Sequence, residues 1–162
     1  GADVESRVRE GSLTAALAAQ QILDAFDRPV DDDIRQVTVR IPRAAAAVSA
    51  VAGDPARLHE WAGGLARTPL ERRDDRWVAD SPMGEVSVKF VPANEFGVLD
   101  HDVTLPDGTV VTNPFRIVAD GPEACEAVFT VRRRESMTDE DYDTDCAAVA
   151  ADLARLRDLV GG

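Results

Sequence analysis

The chain has 162 residues and a mass of 17.4 kDa, enough for one domain with a sizeable core and too little for two ordinary ones. Its 44% hydrophobic and 30% charged residues are the balance of a globular protein, which excludes disorder of the whole chain. The net charge of −12 repels phosphate backbones and anionic lipid surfaces, so nucleic acid is not expected as a partner.

The first 33 residues carry three arginines against eight acidic side chains. Within them Ser12 can cap a helix whose apolar face is Leu13, Leu17, Ile22, Leu23 and Phe26, ending near Pro29. Proline followed by Asp31, Asp32 and Asp33 reads as a linker. Residues 1–33 are thus expected to be an appended helix and acidic linker, serving for packing, for a homodimer contact or for docking a partner. From Arg35 the period becomes two, with Val37, Val39 and Ile41 alternating with polar residues, as in a strand with one wet face. Pro42 stops it. A short Ala-rich helix over 44–52 follows, and then a second with Asp54 as cap, Pro55 at its first position, and Leu58, Trp61 and Leu65 on one side.

Six strand candidates come next, over 70–73, 77–80, 85–91, 97–105, 109–118 and 124–134, divided by short turn sequences rich in Asp, Gly and Pro. Connections this short join antiparallel neighbours, so a meander is expected. The last element is a helix from Thr138, with Asp139, Glu140 and Asp141 in its positive first turn. Its apolar stripe of Tyr142, Cys146, Val149, Leu153, Leu156 and Val160 needs a partner of sheet size.

No run of about 18 uncharged apolar residues is present to insert into a membrane. The start GADVESRVREG lacks the basic, apolar and cleavage-site pattern of a secretory signal, so a cytoplasmic location is expected. Cys125 and Cys146 are read as reduced structural thiols. With only His59 and His101 to help, no metal site and no cofactor are expected. The basic residues are 17 Arg and one Lys, Lys89, and Ala is abundant, which points to a genome rich in G and C. No Gly-rich phosphate loop and no Gly-x-Ser-x-Gly elbow occurs.

The segments DPARLHEWA (54–62), WVADSPMG (77–84) and NEFGVLDHDV (94–103), with the terminal helix, resemble the SRPBCC or START-like superfamily. Within it they resemble bacterial proteins labelled polyketide cyclase/dehydrase-like. The resemblance covers about residues 34–160 and leaves the first 33 unmatched. It implies an α+β helix-grip fold, in which a curved antiparallel sheet of about seven strands wraps the C-terminal helix and two short helices follow the first strand. It also implies an internal cavity for a hydrophobic or aromatic small molecule, in a cofactor-free polyketide cyclase or dehydratase, or in a carrier or sensor that leaves its ligand unchanged. Fold alone does not choose among these.

Alternation places Leu99, His101, Val103 and Leu105 on one face of their strand and Asp100 and Asp102 on the other. His101 is therefore the candidate acid/base, since an imidazole titrates near neutrality; the other reading is a core histidine held by one hydrogen bond. The same reasoning turns Asn113 and Phe115 inward, with Phe129 and Arg133 of the last strand. Arg133 reads either as an inward cation or, with Arg132 and Arg134, as a solvated edge. Val86, Val88 and Phe90 complete the expected sheet side of the cavity, Trp61 the short-helix side, and Tyr142, Cys146 and Val149 the terminal-helix side. Asn94 and Glu95 are expected in a loop near the mouth.

Overall fold

The computed structural model describes residues 33–161. The helix expected over 13–26, and the dimer contact or partner docking assigned to it, lies outside the described residues. The element order is β1 (Ile34–Ile41), α1 (Ala45–Ala52), a 3-10 helix (Pro55–Glu60), β2 (Glu71–Arg73), β3 (Arg76–Ser81), β4 (Gly84–Phe90), β5 (His101–Thr104), β6 (Val110–Asn113), β7 (Phe115–Ala119), β8 (Cys125–Arg132) and α2 (Asp139–Gly161). This is an α+β helix-grip arrangement of antiparallel strands with a long C-terminal helix.

The second short helix is 3-10 rather than α. Asp54 accepts from the Ala56 N–H at 3.0 Å and Pro55 follows it, so the start is capped as expected, but only six residues separate the cap from Trp61. Among the described residues there are eight strands, in a five-stranded sheet β2-β3-β4-β5-β6 and a three-stranded sheet β1-β8-β7. Two of the expected strands are bent. The stretch read as 109–118 breaks at Pro114, which has no N–H to give to a ladder. The stretch read as 97–105 is regular only from His101, and its first residues pair with β7 instead.

In that pairing the Leu99 N–H donates to Phe115 O at 2.8 Å, the Ile117 N–H donates to Gly97 O at 2.9 Å, and Val98 bridges Arg116. One chain segment thus passes from the edge of one sheet to the other. Asp100 sits at the crossing and accepts from the Phe115 N–H at 2.8 Å and from the Arg116 guanidinium at 3.0 and 2.8 Å. Its carboxylate supplies a partner at the position where the break after Pro114 leaves a donor free.

Helix α2 is 23 residues long, about 34 Å at 1.5 Å per residue. It opens with a reciprocal cap: the Asp141 N–H donates to Thr138 Oγ1 at 3.0 Å and the Thr138 N–H to the Asp141 carboxylate at 3.2 Å. Leu153 and Leu156 enter the core with Ile41, Val48, Leu58, Val86, Val88, Phe115 and Ile117. No described helix is long and apolar enough to cross a membrane.

Candidate functional site

Strand register builds the site. Phe90 pairs with His101 and His101 with Asn113, so one side chain from each of β4, β5 and β6 lies in a single row. The next row is Val88, Val103 and Val111. From the other sheet Phe115 pairs with Phe129. The bend at Asp100 and Pro114 brings these aromatics together: the His101 ring lies 4.9 Å from Phe90, 5.9 Å from Phe129 and 6.3 Å from Phe115. Phe115 in turn lies 5.4 Å from Phe129 and 5.8 Å from Trp61.

Between this cluster and α2 is a cavity of about 160 Å³. Its sheet wall is Phe90, His101, Val103, Leu105, Val111, Asn113, Phe115, Phe129 and Val131. Leu58, Trp61, Ala62, Gly64 and Leu65 form the side after the 3-10 helix, and Asp145, Ala148, Val149, Asp152 and Leu153 the α2 side. Gly64, Met83, Arg132 and Ala148 are the exposed members of this lining, whereas Leu58, Phe115 and Leu153 are fully buried.

His101 is 6% exposed. Its Nδ1 lies 3.0 Å from Leu99 O. A carbonyl can only accept, so Nδ1 carries the proton and Nε2 is left as an acceptor. The Asn113 amide donates to Nε2 at 3.4 Å, a long contact. Burial pushes the imidazole pKa down, against the Leu99 hydrogen bond and the charges of Asp100 and Asp102. At neutral pH His101 is an uncharged base at the cavity wall.

Two carboxylates stand on the α2 side. Burial raises the Asp145 pKa, opposed by the charge of Arg134, which also borders the cavity. Asp152 is likewise raised by burial; it is paired with Arg155 and accepts from the backbone of Gly63 and Gly64. The cavity is therefore apolar and aromatic at depth, with ionic groups toward its rim.

Of the residues expected at a ligand site, Trp61, Phe90, His101, Val103, Asn113, Phe115, Phe129 and Val149 lie on this cavity. Six others lie elsewhere. Val86 and Val88 share the inward face of β4 but are covered completely by core neighbours. Leu99 precedes the regular strand, so alternation does not extend to it; its side chain packs near Gly53, in a separate groove. Arg133 lies beyond the end of β8 and pairs with Asp139 and with Met137 O. The Tyr142 hydroxyl donates to Val131 O at 3.0 Å and its ring carries the Arg35 guanidinium at 4.4 Å, tying α2 to the sheet. Cys146 sits on the same side as Arg35. The α2 residues that meet the cavity are 145, 148, 149, 152 and 153, a stripe that shares Val149 and Leu153 with the apolar one but is centred about 50° from it around the helix.

Arg132, Arg134, Asp145 and Asp152 were missed by hydrophobic periodicity because they are charged. The i, i+7 spacing of the two aspartates beside Val149 was the available signal. Asn94 and Glu95 border the separate groove of about 810 Å³ between α1 and residues 91–99, where Phe96 is 79% exposed. Both cysteines are free, and no group of three or more His, Cys, Asp or Glu suited to a metal ion occurs among the described residues.

The fold is shared with solved structures that include a START superfamily protein. A START superfamily protein from Mycobacterium smegmatis superposes with a TM-score of 0.53 at 16% identity, over 79% of this chain and 94% of that one. DynU16, from the dynemicin biosynthetic locus, gives 0.60 at 15% identity, over 80% of this chain and 47% of that one. An uncharacterised protein from Bacillus thuringiensis gives 0.65 at 9% identity, over 80% and 99%. Identities this low establish the fold alone. No protein-family profile matches the chain, and no curated protein matches it.

Proposed function

We propose that the protein binds a small hydrophobic or aromatic molecule between its sheet and α2. The observation that carries this is the cavity itself, walled by Trp61, Phe90, Phe115 and Phe129 around one buried imidazole. Apolar walls with a few convergent polar groups are the ordinary composition of a ligand site. A polyketide cyclase or dehydratase-like activity is a second reading, favoured by the orientation of His101. Nε2 would take a proton from carbon next to a ketone, the C–H electron pair forming the enolate, while the Asn113 amide would donate to the oxygen. A cavity of this size takes one ring, so a longer chain would extend past Met83 and Arg132. A lipid-like ligand carried or sensed without reaction needs only the apolar walls. A cytoplasmic location is part of this reading.

Native mass spectrometry of protein purified without detergent tests it, with a one-to-one adduct of an apolar molecule expected. Protein that emerges bare and takes up no added aromatic contradicts it. Between the two readings His101→Ala decides: loss of turnover with affinity nearly kept supports catalysis, and a candidate ketone that is bound but never converted supports carriage.

A further inference from the structure

We infer that the cavity selects a single-ring aromatic ligand bearing a hydroxyl, a phenol or an enol of that size, whose O–H donates to Nε2 of His101. This rests on the cavity reading above and narrows it. Size comes first: about 160 Å³ is close to the cavity volume known to accept benzene in a protein interior. The rings of Phe90, Phe115 and Phe129 pack against the imidazole, with centroids 4.9 to 6.3 Å from it, and so give the cavity one continuous aromatic wall against which a flat apolar body can lie.

The imidazole supplies the selection. With Nδ1–H committed to Leu99 O, Nε2 is a buried acceptor whose hydrogen-bond partner among the described residues is the Asn113 amide, at a long 3.4 Å. A buried acceptor so poorly met costs free energy, and a ligand donor restores it. A carboxylate has no proton to give and would face the Nε2 lone pair. An ammonium beside Nε2 would lose its water among the aromatic rings, while the carboxylates of the lining, Asp145 and Asp152, stand on the α2 side and Asp152 is already paired with Arg155. A neutral hydroxyl fits both constraints, and its oxygen can accept from the Asn113 amide while its proton goes to Nε2.

Calorimetric titration of the full chain with phenol and with toluene, which have nearly the same shape, tests the inference. Both should bind at one competitive site, and His101→Phe should weaken phenol about tenfold while leaving toluene as tight or tighter. In the wild-type protein the Nε2 nitrogen resonance should move on adding phenol and stay still with toluene, which decides the matter even if His101→Phe does not fold. Toluene binding with phenol affinity indifferent to His101→Phe and an unmoved Nε2 resonance overturns the hydroxyl inference and leaves the cavity reading standing. Failure of both compounds to bind overturns the two together.

Discussion

Burial holds the His101 imidazole below its ordinary pKa, so between that lowered value and the unfolded one the unfolded chain holds more protons than the folded chain. Stability then rises with pH across that window: the contribution is whole above about pH 6.5 and is lost as the medium is acidified below it. Urea midpoints for the wild-type protein are expected to drop between pH 7 and 5, and those of His101→Phe to drop less; parallel curves would show that the imidazole is not the group responsible. Beside it, Asp100 has its pKa lowered by Arg116 and by the Phe115 N–H. Asp100→Ala should cost about 1–2 kcal/mol in denaturant unfolding, because it strands a donor at the sheet crossing; no change would mean that water replaces the carboxylate. Single-residue alternation located His101, Val103, Asn113 and Phe115 on the inward face. It does not extend to Leu99, nor to the inward alternative for Arg133, because both lie just outside regular strand, where period two has no meaning; the pairing of Arg133 with exposed Asp139 is closer to the solvated-edge alternative.

Elements were legible where a physical signal was local. The Thr138 cap, the acidic first turn and the apolar stripe of α2 are written in neighbouring residues, and α2 forms accordingly. The bend was not, since Val111, Asn113, Phe115 and Ile117 keep their inward alternation straight through Pro114 and conceal the change of sheet. Gly97 marks it in retrospect: its φ is +75°, and a Cβ there would lie 2.2 Å from Ile117 O. Gly97→Ala is accordingly expected to destabilise the protein by about 2 kcal/mol or more and to raise amide exchange at Leu99 and Ile117 first. Unchanged exchange at those two amides would mean that the crossing does not depend on this close approach.

At the scale of the molecule, the order of elements sufficed for the helix-grip architecture, because turns too short for crossovers and one long amphipathic helix leave few alternatives. It did not disclose two concavities, since pocket shape depends on which side chains the bend brings together. Phe90 borders both, the 160 Å³ cavity beside His101 and the open groove beside Phe96, and only the former joins apolar depth to a buried base. The decisive measurement is an amide and methyl NMR titration with toluene. Saturable shifts centred on Val103, Val111, Phe129, Val149 and Leu153 are expected. Shifts centred instead on Ala46, Ala50, Phe96 and Val98, or no saturable shifts at all, would contradict a ligand site between sheet and helix.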